Sequence, residues 1–190
     1  MSTLNNSPLM GHNSIHAEVV TTLEQLQHAY AIRAICFMEE NDVDAGQAFD
    51  GNDLQATHII IYAGTKPIGA LRIRWFSNFA KIERTAFRKA YRNPRYLKIA
   101  AEYVFAHIAR KGYSQVLTHA NPLYARLWRV LLGFKEVEHK PNVHFGGHAE
   151  PYIELVKHLE LPQDAITADT DATVLFRIEG QWDTQSKYEL

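Results

Sequence analysis

Cysteine is almost absent from this chain. Cys36 is the only one among 190 residues, so no intrachain disulfide can form, and a reducing compartment fits. No run of about 18 apolar residues occurs, so no transmembrane helix and no membrane partner are expected. Neither sign of charge dominates: 20 Lys and Arg stand against 21 Asp and Glu, for a net charge of -1. That balance argues against nucleic acid as a partner, because phosphate contacts usually need a clear basic excess. A local basic pocket remains compatible with it. The segment Met1–Ser14 is rich in Asn and Ser and lacks a basic start followed by an apolar run. It reads as a disordered tail rather than a signal peptide. The expected location is therefore the cytoplasm, and the size is usual for a bacterial protein. What is present is enough for a core, since 46% of residues are hydrophobic and 22% charged. The length suits a single domain. We expect a tail over 1–15, one domain over 16–158, and a C-terminal extension over 159–190 that packs on the domain or extends it.

The hydrophobic pattern changes period along the chain. His16–Thr21 is β-branched and alternates, which predicts a strand. Thr22 can cap a helix starting at Leu23, with Glu24 in its first turn. Leu26, Tyr30, Ile32, Ile35 and Phe37 supply an approximate apolar face. Asn41–Asp53 is polar and reads as a loop. Three strands follow, at Ala56–Ala63, Ile68–Phe76 and Phe79–Phe87, joined by short turns that imply an antiparallel meander. Tyr96–Lys111 then shows helical spacing and stops at Gly112. Gln115–His119 is a short strand. Pro122 opens a helix with Leu123, Leu127, Val130 and Leu131 on one face, ending at Gly133. Phe134–Glu138 and Tyr152–His158 are two more strands, and Ala172–Ile178 reads as an extra strand or an ordered tail. The order β-α-loop-βββ-α-β-α-ββ predicts an α/β (α+β) fold. Its central sheet is mixed and mostly antiparallel, of about seven strands, with helices on both faces.

This order resembles the GNAT (N-acetyltransferase) superfamily, and particular residues carry the resemblance. Arg33 with Cys36-Phe37 and Glu40, the strand Gly69–Trp75, the segment Ile82–Arg92, and the stretches Arg110–Ala120 and Leu127–Val137 with its Gly-Phe match family segments in order and spacing. The resemblance implies a strand, here Glu83–Phe87, that splays from its neighbour and leaves backbone groups unpaired. An acyl-pantetheine arm can pair with them like an added strand. It also implies donor contacts from the backbone of Thr85, Ala86 and Phe87, from Asn121, and from the loop Arg92–Leu97 that opens the next helix, whose N-terminus favours a phosphate. The family loop usually carries glycines where this chain has Arg95 and Leu97. Side chains of Arg92, Arg95 and Lys98 are expected to take over the phosphate contacts. Arg33, Phe37, the acidic loop Asp50–Asp53, Arg72 and the Glu83-Arg84 pair also look similar to residues of acyl-homoserine lactone synthases, which take acyl groups from acyl carrier protein.

Acyl transfer to an amine needs a proton acceptor, a polarised carbonyl and a proton for the departing thiolate. Glu83 can accept the proton or can be a salt-bridge partner of Arg72, Arg74 or Arg84. His119, ending its strand at the mouth of the splay, can act as a base near neutral pH or can cap the next helix. Tyr124 can protonate the thiolate or simply pack. Asp50 and Asp53 can bind a cationic amine or form a solvated turn. Arg72 and Arg74 share a strand face and can bind a substrate carboxylate or pair with nearby acids. His139, His144 and His148 are irregularly spaced and joined by no Cys, so no metal is expected. His148 is expected to line the acceptor pocket instead. The leading expectation is an N-acyltransferase moving an acyl group, acetyl in the simplest case, from acetyl-CoA or another acyl-CoA to a small-molecule amine by direct transfer. The alternatives are a synthase of N-acyl amino acids or lactones fed by acyl carrier protein, and a non-catalytic scaffold whose donor cleft is blocked. An exposed last strand able to pair between subunits makes a homodimer one option.

Overall fold

The computed structural model describes residues 14–138, 143–145 and 150–189. Residues 1–13 of the tail expected over 1–15, together with His139 and His148, lie outside these residues. The strands are β1 (Ile15–Val19), β2 (Thr57–Ala63), β3 (Lys66–Trp75), β4 (Ala80–Phe87), β5 (Gln115–Ala120), β6 (Lys135–Glu136) and β7 (Ile153–His158). They form one seven-stranded sheet in the order β1-β2-β3-β4-β5-β7-β6. Every pairing is antiparallel except β4 with β5. The mixed, mostly antiparallel sheet expected from the sequence is therefore present.

Helices cover both faces. On one face α1 (Leu23–Arg33) lays Ala29 and Ile32 on Ile60, Ala70 and Ala86, and Cys36 joins them from a π-helical turn over Ala34–Glu39. On the other, α3 (Pro94–Arg110) and α4 (Pro122–Leu132) pack on Ile59, Ile61, Ile73, Ile82 and Val116. Two covered faces explain why β2 is a continuous apolar run rather than an alternating one. The helix starts follow their capping residues. Thr22 and Gln25 form a reciprocal capping box at α1. Asn93 and Asn121 cap α3 and α4, each with Pro at the first helical position. Gly133, at φ 73, turns the chain out of α4 in the left-handed region and lets Phe134 fold back edge-on to Trp128.

Four expectations shift. In α1 the inward stripe is Ala29, Ile32, Arg33 and Cys36, while Ile35 is exposed. An arginine occupies the buried face because carboxylates await it there. In α4 the buried stripe is Ala125, Trp128 and Leu132, while Leu123 and Val130 are exposed. Trp128 has more surface to hide than Val130, and burying it sets the rotation of the helix. The polar loop Asn41–Asp53 holds two short helical turns, α2 (Ala45–Ala48) and a 3-10 turn at Gly51–Gln55. The apolar run Ala172–Ile178 is a single helical turn, α5 (Ala172–Leu175), not a strand.

The residues after β7 pack on the outer side of α3. Glu179 meets His107, Lys111 and Thr57 at 3.0, 2.9 and 2.9 Å. Trp182 stacks on His107 with ring centroids 5.1 Å apart.

Candidate active site

The site forms where β4 and β5 part. Their parallel pairing runs only from Ala80/Val116 to Ile82/Thr118. Past that rung β5 continues to pair with β7, and β4 continues with β3. Glu83–Phe87 therefore presents an edge with no neighbour on the β5 side, as the sequence led us to expect. A cavity of about 550 Å³ opens there, within the range of small-molecule sites. Its walls include Phe37, Ile82, Leu97, Trp128 and Phe145, so it is largely apolar.

β4 is bulged at the start of this opening. Ala70 faces Ala86 and Arg72 faces Glu83, so Arg84 and Thr85 together oppose Leu71. Arg84 sits at φ 54, a conformation that costs a non-glycine residue about 1 kcal/mol or more. Such bulges re-aim side chains. On β3, Gly69 gives the ring of Phe87 room to lie against it, since a Cβ there would sit 2.8 Å from that ring.

Beneath the opening lies a buried ion network. Arg33, fully buried, holds Asp53 with both terminal nitrogens at 2.6 and 3.1 Å. Arg72, 1% exposed, uses all five of its N–H groups. Nε and Nη2 bond Glu83 at 3.0 and 2.7 Å, and Nη1 and Nη2 reach Asp50 at 2.6 and 2.8 Å. Nη1 also bonds Asp53 at 2.9 Å. Burial alone pushes the carboxyls of Asp53 and Glu83 up, but their cationic partners outweigh it and both end below the usual range. Hydrogen bonding to Arg72 likewise holds Asp50 well below it. Burying such ions costs several kcal/mol each, and bidentate geometry with every proton engaged offsets it. Arg72 thus takes the pairing alternative, while Asp50 and Asp53 form neither a solvated turn nor a free binding pair but serve as its ion-pair partners. Their charges are paired with one another inside the protein. Arg74 stands at the edge, 3.8 Å from Glu83, beside Phe76.

Glu83 itself lines the cavity. Besides Arg72 it bonds Lys81 at 2.7 Å, so it is ionised but weakly basic. His119, the first residue of β5 past the last shared rung, lines the cavity as well. Its Nε2 lies 3.2 Å from Glu154, directly opposite on β7. Its Nδ1 is buried with no hydrogen-bond partner among the described residues. Burial and then Lys81 push its pKa below the ordinary value, against the opposing pull of Glu154. The imidazole is therefore neutral at pH 7. With Nε2–H donated to Glu154, the lone pair rests on Nδ1. Tyr124, on α4, lines the cavity and is about half exposed, and Asn121 spends its side-chain oxygen on the Tyr124 amide.

The donor side differs from expectation in its cations. Arg92 reaches the cavity, but it is paired with Glu40 and donates Nε to the Phe87 carbonyl at 3.1 Å. The same carbonyl accepts from the thiol of Cys36 at 3.3 Å. Arg95 and Lys98 are exposed and outside the cavity lining, and Lys98 faces Glu102 at 3.8 Å. At the start of α3, Pro94 has no N–H and the Asn93 side chain already accepts from the Arg95 amide at 2.9 Å. Thr85, Ala86 and Phe87 do line the cavity. Among the described residues no group of three His, Cys, Asp or Glu is placed to hold a metal ion, and His144 lines the cavity wall. Sequence reasoning missed Glu154, Lys81, Phe145 and Tyr152. Each reaches the site through strand register or loop packing, for which no local motif exists.

No family model matches the chain. Over 77 residues it is 34% identical to the N-acetyltransferase YjcF of Bacillus subtilis, covering 40% of this chain and 55% of YjcF. The chain thus spans about half the length of that relative. Over 115 residues it is 30% identical to YyaT of the same organism, covering 59% of this chain and 78% of YyaT. The chain has the fold of the GNAT superfamily, and part of its sequence is similar to an N-acetyltransferase. Solved structures agree on the GNAT fold. An N-acetyltransferase structure from Lactobacillus plantarum superposes with a TM-score of 0.68 at 23% identity, covering 78% of this chain and all of its own (100%). FeeM, an N-acyl amino acid synthase from uncultured soil microbes, gives 0.62 at 13%, covering 77% and 91%. The acyl-homoserine lactone synthase LasI gives 0.63 at 14%, covering 78% and 91%. At these identities the likeness is one of fold. Within that GNAT fold, the opening between β4 and β5 and the ion network beneath it belong to this chain's own residues.

Proposed function

We propose that this chain transfers an acyl group from an acyl-CoA thioester to the amine of a small molecule by direct attack. The observation that carries this reading is the parting of β4 from β5 past Ile82 and Thr118, with His119 and the free edge of Glu83–Phe87 on one cavity. In this reading the pantetheine arm lies along that edge and pairs with the backbone of Thr85 and Ala86. His119 takes the proton of the attacking amine, while Glu154 steadies the imidazolium. The tetrahedral centre collapses and expels the thiolate, which is protonated by Tyr124 or by solvent. Glu83, held ionised by Lys81 and Arg72, favours an amine approaching as its cation. A non-catalytic scaffold needs a filled cleft, and the open cavity speaks against it.

A second reading has one observation in its favour. The start of α3 offers few free amides and Arg92 is tied to Glu40, which is a poor cradle for a diphosphate. An acyl carrier protein presents a single phosphodiester and adds contacts of its own. Thermal shift with acetyl-CoA, a long-chain acyl-CoA and acylated carrier protein separates the readings, because whichever donor binds the native state raises its melting temperature. Stabilisation by an acyl-CoA supports the first. Stabilisation by the carrier protein alone supports the second. No shift with any donor overturns both.

A further inference from the structure

Arg84 stands apart from the other cations of the site. It lines the cavity from the bulge of β4, two residues beyond the last rung shared with β5. Its backbone is held at φ 54, and observed strain of this kind often marks a functional position. Its guanidinium lies over the ring of Phe145, 4.2 Å from the centroid. Only Nη2 has partners: the Gln47 carbonyl at 2.7 Å and Asp50 Oδ2 at 3.0 Å. That Asp50 oxygen is shared with Arg72. Nε is buried without a hydrogen bond, and Nη1 has none among the described residues.

The charge balance points the same way. The network joins five cations, Arg33, Arg72, Arg74, Lys81 and Arg84, to three carboxylates, Asp50, Asp53 and Glu83. Counting Glu154 beside His119 makes four. Among the described residues one positive charge remains in excess, and Lys81 and Arg84 bring positive charge to a mostly apolar wall, where it is poorly screened. A guanidinium over an aromatic ring with Nη1 uncommitted can donate to one oxygen of a carboxylate. Tyr124, Phe145 and Tyr152 line the same part of the molecule.

We infer that the acceptor is an amine that also carries a carboxylate, an amino acid in chemical class, and that Arg84 binds its carboxylate while the amine faces His119. The inference rests on the acyltransferase reading for the role of the amine, but carboxylate binding can be measured without it.

The probes are the twenty amino acids and their carboxamides, titrated calorimetrically into the full chain without donor. At least one amino acid should bind about tenfold or more tightly than its amide. The ratio should collapse toward one in Arg84→Asn, where asparagine tolerates the left-handed backbone, and persist in part in Arg84→Lys. Comparing acid with amide inside one variant cancels any loss of folded protein. No binding by any amino acid, equal binding of acid and amide, or an unchanged ratio in Arg84→Asn overturns the inference. Turnover with acyl-CoA reads the other question. Selective binding without acyl transfer leaves the carboxylate site standing and removes the enzymatic reading, and transfer to acids and amides alike does the reverse.

Discussion

His119 and Glu83 face the same cavity, yet their neighbours prepare them differently. Glu83 is ringed by Arg72 and Lys81, so its lone pairs are committed and its basicity is low. His119 is neutral, with one nitrogen held by Glu154 and the other unpartnered among the described residues. His119→Gln should lower kcat by about 100-fold or more while leaving the acyl-CoA-induced thermal shift intact. Because burial holds the His119 pKa below 6.5, its base form is lost only as pH falls through that lowered value. With acceptor saturating, kcat should therefore be level above about pH 6.5 and fall in acid, and the variant should lack this limb. A limb above that pH assigns the proton to another group. Asp53 belongs to the same scale. Asp53→Asn leaves Arg33 and Arg72 short of charge in the interior, and should cost about 3–5 kcal/mol in urea unfolding. A loss under about 1 kcal/mol would mean that the network adds little stability.

Among the elements, the C-terminal extension makes the most distinct prediction. Glu179 ties it to α3 and β2 through His107, Lys111 and Thr57. Burial alone raises the Glu179 carboxyl, but these partners outweigh it and pull its pKa down to about 2. Its folded pKa lies below the unfolded one, so its contribution is full above about pH 4.5 and lost as pH falls toward 2. Amide exchange across residues 160–189 should accelerate in that window before the sheet responds, and Glu179→Gln should show the same acceleration at pH 7. Exchange that rises only with global unfolding would count against a separate anchor. The elements also show what could be read in advance. Caps at Thr22 and Pro122 and the stop at Gly112 announce themselves locally, as do the alternating strands. The π-helical turn at Cys36 and the inward face of α4 do not, because tertiary contacts with Ala86 and Phe134 choose them. Of the site, Glu83, His119 and Arg92 could be picked out by their place beside the splay. Glu154 could not, since it joins His119 only through the register of β5 with β7. The pairing of Asp50 and Asp53 with Arg33 and Arg72 is equally hidden, because it spans 19 or more residues of sequence.

At the scale of the whole molecule, the order of strands and helices was enough to anticipate the sheet, and the comparisons show a fold shared with named acetyltransferases. The sheet has an uneven fabric. Strands β1–β4 form one antiparallel ribbon of neighbours in sequence, and β5–β7–β6 form another. Ladder hydrogen bonds join the two only along Ala80–Ile82. That short seam is the weakest join between the two ribbons. Pulling the halves apart across it breaks few ladder bonds, whereas shearing β2 from β3 or β5 from β7 breaks many. A molecule lying in the gap beyond the seam and bonded to both lips acts as a stitch. Occupancy of the site then becomes a matter of tensile strength as well as chemistry, and the force needed to separate the two ribbons becomes a gauge of what the cleft holds.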